Sequence, residues 1–315
     1  MVYKRMGGRL GNQMFQYAAI RSFHQKYRKN DKIVLDFQSV YKLGTKEDGF
    51  KNQLDGFKLN EKVEFTDKMT MDFFPSVLFL FYKFLCMIIK LFDFSHTYLV
   101  KRKKLEDFLY PFYHKQGLYI YTDGYKKFDD CKKKNIYFFG YYESVDYFND
   151  IVDILKYEFS ADVNLNDDDL KNIIDTNNTT CVSVRAGDFL SDKFKNNYYV
   201  CKPNYYVKSV NYIKNKCDSI FVIFSDDIEW VKKNISFPND VKCVYEEKKY
   251  NLYEKIYLMT HCDNYILSNS SFSFWTQFLS YNNDKTVVAP SKWTNNNQVI
   301  DIYQNNWIKV DVEEG

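Results

Sequence analysis

Arg185 stands at the end of an apolar run and is followed by Ala186, Gly187 and Asp188, a set suited to holding phosphate. A guanidinium stays charged at physiological pH and offers a planar fork that can hold two phosphate oxygens at once. Its isolation adds weight: the chain has six Arg against 38 Lys, and Arg185 is the only Arg in the last 213 residues. Other stretches have a related character. Ser268-Asn269-Ser270-Ser271-Phe272-Ser273 and Gly7-Gly8-Arg9-Leu10-Gly11-Asn12-Gln13 are turns of small and polar residues ahead of helical patterns. Their free N–H groups and the positive end of the helix dipole would face an anion. Asp226-Asp227, after another apolar run, offers a carboxylate that can accept from the N–H edge of a guanine base. Each stretch alone has a plainer reading: a tight turn, a helix N-cap or an ordinary salt bridge. The glycine spacing also fails the GxGxxG pattern, which argues against a dinucleotide enzyme, although Asp36 near a strand end would suit a ribose.

Such stretches need elements to bring them together. In the second half, short apolar runs alternate with helical patterns. Strands are expected at Thr180–Arg185, Ile220–Ser225, Val241–Tyr245, Asn264–Ser268 and Thr286–Ala289, and helices at Pro203–Lys216, 227–234, Leu252–His261 and Ser271–Tyr281. This rhythm implies a parallel sheet covered on both faces, with ligands at the carboxyl ends of its strands. In the first half, residues 11–28 have helical spacing, with Met14, Phe15, Ala18, Ala19 and Phe23 on one side, and Lys32–Phe37 reads as a buried strand. Residues 40–135 are aromatic and Lys-rich and give no clear period. The polar stretch Ala161–Asn178 is the best boundary, dividing the chain into 1–165 and 166–315, with the last residues packing back on the first domain. Within that stretch Asp167, Asp168 and Asp169 read as a helix start rather than a metal site.

Composition narrows the classes further. The chain has 315 residues, which suits two domains, and a net charge of +3, which implies no nucleic-acid partner. Seven scattered Cys with no CxxC argue against a disulfide framework and a zinc site and suit a reduced, cytoplasmic protein. The start MVYKRMGG has no apolar signal segment. Residues 74–92 approach the length of a membrane span, but Lys83 and Lys90 interrupt them. The two Lys share one side of a helix, so the segment suits a helix packed on the protein core, or a peripheral contact with the inner face of the membrane.

In order along the chain, these residues resemble glycosyltransferase family 11, the α-1,2-fucosyltransferases. The family's GGLGNQMFQYA signature resembles Gly7–Ala19, with Arg9 inserted, and its GYWQSEKYF-like segment resembles Gly140–Phe148. Its HxRRGDY motif resembles Ser183–Phe189, with Ser183 in place of His and Ala186 in place of the second Arg. FSDD-xxW resembles Phe224–Trp230, SNSSFSWWGAWL resembles Ser268–Leu279, and VVAPSKW matches Val287–Trp293. The resemblance spans nearly the whole chain.

The resemblance implies a GT-B-like α/β fold, two Rossmann-like domains facing across a cleft, with the donor held mainly by the second. It implies GDP-fucose as donor substrate, a glycan acceptor bound by the first half, inversion at the sugar, and neither a cofactor nor a metal. Arg185 would stabilise the diphosphate leaving group and Asp188 would act as base. Donor binding would fall to Gly8, Gly11, Asn12, Gln13, Ser183, Asp226, Asp227, Ser268, Asn269, Ser270, Ser271, Phe272 and Ser273. The Ser183 and Ala186 departures leave two alternatives: a related transferase with another donor or linkage in surface polysaccharide synthesis, or an inactive nucleotide-sugar-binding protein.

Overall fold

Short, mostly buried strands paired in parallel form the frame of the computed structural model, which describes residues 1–44, 49–93, 97–166, 168–248, 250–296, 298 and 300–313. The chain divides into two compact units, Met1–Phe159 with Asn297–Tyr303, and Ser160–Asn296 with Gln304–Gly315.

The first unit holds β1 (Val2–Arg5), β2 (Ile33–Asp36), β3 (Val63–Thr66), β4 (Leu118–Ile120) and β5 (Ile136–Phe139). Their order is β3-β2-β1-β5-β4, every pair parallel. The earliest strand is therefore central, and the chain builds to one side of it before returning to the other. The helix Leu10–Tyr27 follows β1. Spacing predicts one apolar side, but most of this helix is buried, Gln13, Gln16 and Arg21 included. Several of its polar groups are matched internally. Arg21 Nε lies 2.8 Å from Glu158, and Tyr17 donates to the same carboxylate at 2.5 Å. Helices Phe73–Leu91 and Tyr98–Lys115 pack on each other and cover β4 and β5 through Leu78, Tyr82 and Tyr113. The opposite face of Phe73–Leu91 is exposed, so the helix does not serve as a fully packed core element.

The second unit holds β6 (Thr179–Val184), β7 (Ile220–Ser225), β8 (Cys243–Tyr245), β9 (Asn264–Ile266), β10 (Val287–Pro290) and β11 (Ile308–Val310). The order is β11-β10-β9-β6-β7-β8, again all parallel. β6 pairs with β7 from Thr179↔Ile220 to Val184↔Ser225, and with β9 through Val182↔Ile266. Val182, Val184, Phe221, Ile223 and Ile266 join Tyr205, Tyr206, Val210 and Ile213 of the helix Pro203–Lys214 in one core. Asp168 caps the helix Asp169–Thr176 by accepting from Leu170 and Lys171 N–H groups, while Asp167 lies outside the described residues.

Candidate functional site

In an open parallel sheet, a crevice forms at the strand ends where the connections reverse direction. In the second unit that point lies between β6 and β9. The turn after β6 carries Arg185, the turn after β7 carries Asp226, and the turn after β9 carries Ser268 to Ser273, so registry brings these turns together. Arg185 is three-quarters buried. Its NH2 group pairs with Asp188 and its NH1 group lies 3.0 Å from Asp226 Oδ2. Its guanidinium stands 5.0 Å from the Phe189 ring centre, and its Nε is buried without a hydrogen-bond partner among the described residues.

Asp226 also accepts from the N–H groups of Ala186, at 2.9 Å, and Gly187, at 3.2 Å. It is thus the brace of the arginine turn. Asp227 caps the helix Ile228–Asn234, accepting from Trp230 N–H at 2.9 Å. Ser183 lies at the end of β6 with its hydroxyl 3.5 Å from that of Ser268 across the strand pair, both buried. Asn269 is buried and donates to the carbonyls of Tyr198 and Trp293, each at 2.9 Å, which pins the turn. Ser270 caps the helix Ser271–Phe278 by position, but its side chain makes no capping bond. Phe272 is half-buried. Ser273 Oγ and Gln277 Nε2, one turn apart on this helix, are buried without hydrogen-bond partners among the described residues. With Arg185 Nε they make three buried polar atoms on the turns and helix at this end of the sheet that lack such a partner.

The first unit has its own reversal point, between β1 and β5. The turn after β1 contains Gly8 at φ 74°, where a Cβ would stand 2.5 Å from the Asn12 amide nitrogen. Gly11 is buried and Asn12 half-buried at the helix start, where Asn12 O accepts from Gln16 at 2.8 Å. Gln13 donates to the carbonyls of Gly8, at 3.0 Å, and Lys51, at 2.8 Å, and accepts from Gln53 N–H at 3.0 Å. Its amide is fully used in holding main chain.

Beside this turn, a Cβ on Gly7 would lie 3.2 Å from the Tyr141 hydroxyl in the stretch after β5. There Tyr142 is buried at φ 59°, a conformation that costs a bulky residue energy and often marks function. The next residue, Glu143, lines a small pocket with Thr122, Asp123, Gln298 and Asp301. Asp123 is tied down by Arg102 and by Gln298, the latter at 3.2 Å. Glu143 makes no hydrogen bond among the described residues. Burial, then the charge of Asp123, pushes its carboxyl up to about 7. Lys4, in the middle of β1, is fully buried 5.4 Å from the Tyr142 ring, and burial pushes its ammonium well below the usual value.

Glu143 and Lys4 escape sequence reasoning, because nothing in GYYES or VYKR marks either as buried. Asp36, the acid that would suit a ribose, is spent on Arg5 at 2.9 Å and on Gln38 N–H at 3.0 Å.

The chain is 27% identical over 321 residues to an alpha-1,2-colitosyltransferase of Escherichia coli, with 99% of each chain covered. It is 25% identical to the O-antigen biosynthesis glycosyltransferase WbnK of Escherichia coli, covering 98% of this chain and 100% of that one. Among solved structures it is similar to the fucosyltransferase NodZ from Bradyrhizobium, at 13% identity and a TM-score of 0.47, covering 89% of this chain and 91% of that one. The glycosyl transferase family 11 model matches residues 1–311, and the chain belongs to that family: it is a glycosyltransferase.

Proposed function

We propose that this chain transfers fucose from GDP-fucose, with inversion and without a metal, to a hydroxyl of a glycan acceptor, the O2 of a galactose. The observation that carries the reading is the convergence of the turns at 185–188, 225–227 and 268–273 on the reversal point of one parallel sheet. It gives a diphosphate a fixed guanidinium on one side and a helix start on the other.

Breaking the sugar–phosphate bond leaves an oxocarbenium-like sugar and a diphosphate that gains negative charge. Arg185 and the N–H groups at the start of Ser271–Phe278 stabilise that charge, and Ser273 Oγ and Arg185 Nε supply further donors. The acceptor hydroxyl must lose a proton. Sequence points to Asp188, but that carboxylate is already engaged in an ion pair with Arg185. Glu143, held near neutrality in the pocket of the first unit, is the better-matched proton acceptor. The first unit binds the acceptor in this reading, and the enzyme works in the cytoplasm on surface polysaccharide precursors.

A second reading is favoured by the match to a colitosyltransferase and by Ser183 and Ala186, which depart from the family motif. Colitose is fucose without its 3-hydroxyl, so a small change in the sugar pocket would separate the two donors. Mass spectrometry of products from GDP-fucose and GDP-colitose, each with galactose-terminated acceptors, decides between them. Fucose transfer that persists in excess EDTA is expected. Transfer of colitose alone would install the second reading, and transfer of neither sugar would remove both.

A further inference from the structure

The hairpin of helices Phe73–Leu91 and Tyr98–Lys115 presents an apolar face that the protein leaves uncovered. Phe73, Val77, Leu80, Phe84, Met87 and Leu91 recur at spacings of four and three, so they lie along one line of the first helix. All are exposed, Phe73 at 85% and Leu91 at 67%. Phe74 and Phe81 widen the stripe, and Phe108 and Phe112 are exposed on the second helix. Only 11% of the most apolar window of Phe73–Leu91 is buried, so this is not the core helix that its composition suggests. The buried side is held from two directions: Leu78 and Tyr82 pack with Leu118, Ile120, Tyr137 and Phe139 of the sheet, and the second helix adds hydrogen bonds. Tyr82 donates to Glu106 at 2.7 Å, and Tyr113 donates to the Leu78 carbonyl at 3.1 Å.

The charges within the first helix have one sign, with Asp72 just ahead of it. Phe73–Leu91 contains no Asp or Glu, and its exposed Lys83 and Lys90 lie together on one flank of the stripe. Lys104 and Lys115 are exposed on the partner helix. None of these four lysines has an ion-pair partner among the described residues. On the second helix, exposed Asp107 is already paired with Lys126 at 3.3 Å.

We propose that this face docks on an anionic membrane surface, with both helices lying in its plane. A helix set into the headgroup boundary buries an apolar stripe while flanking lysines reach up to the lipid phosphates. A span does not fit, because Lys83 falls mid-helix and one side is held against the sheet. A second copy of the chain fits poorly: two such faces would bring lysines together with no carboxylate on Phe73–Leu91 to meet them. The stripe is also wider than a coiled-coil seam.

The test is flotation of the full chain with vesicles of phosphatidylcholine alone and of phosphatidylcholine mixed with phosphatidylglycerol. Binding to the mixed vesicles alone is expected, weakening with added salt. Lys83→Glu with Lys90→Glu should lower it about 30-fold or more, at roughly fivefold for each lysine lost near a charged surface. Phe84→Ser with Met87→Ser should abolish it. Both double variants should keep the wild-type circular dichroism and transfer rate on a soluble acceptor, since neither touches the turns described above. Three results would overturn the proposal: no flotation with either vesicle, flotation indifferent to the lysine substitutions, or a concentration-dependent dimer that Phe84→Ser with Met87→Ser dissolves while vesicles stay unbound.

Discussion

Asp226 holds Arg185 from two directions. One carboxylate oxygen lies 3.0 Å from the guanidinium, and the other accepts the N–H groups of the next two residues, Ala186 and Gly187. Side chain and turn are therefore fixed by the same group. Gly187 is needed for the same reason, since a Cβ there would stand 2.9 Å from Asp226 Oδ2. With Asp188 as second partner, one cation faces two carboxylates. A diphosphate entering this crevice must draw on the remaining guanidinium N–H groups and on backbone donors.

Arg185→Lys should be severely defective, although Lys is the usual cation of this chain. A point charge cannot bridge Asp188, Asp226 and a phosphate as a planar fork does. The loss should be about 10- to 100-fold in kcat/KM and visible in kcat, because leaving-group charge peaks in the transition state. A near-normal Lys variant would make Arg185 structural only.

Asp226→Ala and Asp226→Asn should separate bracing from charge. Alanine leaves the Ala186 and Gly187 N–H groups without their acceptor and should cost about 1–3 kcal/mol in urea unfolding. Asparagine keeps an acceptor oxygen and should cost less than half of that. Equal losses would mean that the ion pair, rather than the turn, is what Asp226 supports.

Glu143 should give activity and stability opposite pH slopes. As the proton acceptor it must be ionised, so kcat/KM should fall about tenfold per unit below its pKa near 7. Its raised pKa means that its contribution to folding is full below the ordinary 4.5 and is lost as pH rises through about 7. Glu143→Gln should flatten the stability slope and remove most of the activity at every pH. A Gln variant with wild-type turnover would return the base assignment to Asp188.

Gln13→Ala should lower stability by about 2–3 kcal/mol, because it strands two carbonyls and an N–H group that Gln13 now serves. A ligand-binding glutamine would instead raise KM for the donor and leave the unfolding midpoint in place. Titrating the purified variant with urea, alongside donor kinetics, separates the two.

The second unit was the more legible in sequence. Ile220–Ser225 runs as six apolar or small residues between polar turns, and the structure gives it the same bounds. The helix expected from Leu252 begins there, under a capping box formed by Asn251 and Glu254. The first unit hides its frame for physical reasons. β1 is only VYKR, and half of its four residues are cationic, so nothing in its pattern announces a central strand with a buried Lys4. Phe73–Leu91 and Tyr98–Lys115 carry large apolar residues on both buried and exposed faces, which erases the helical period. At the site, the arginine turn could be read from residue types. The roles of Asp226 and Gln13 could not, because Gln13 and one oxygen of Asp226 serve backbone groups, to which composition is blind.

The chain passes between its two units three times, because 297–303 returns to the first unit before β11 completes the second sheet. Severing it at any of these crossings would therefore harm more than a tail. A product ending at Phe159 would lack Gln298, which tethers Asp123, and Asp301, which bridges Ser144, beside the pocket that contains Glu143. A product ending before Gln304 would leave β10 as a bare edge without β11. Recombinant fragments or a tag inserted near residue 300 would compromise both halves at once, so the enzyme must be handled and engineered as one piece.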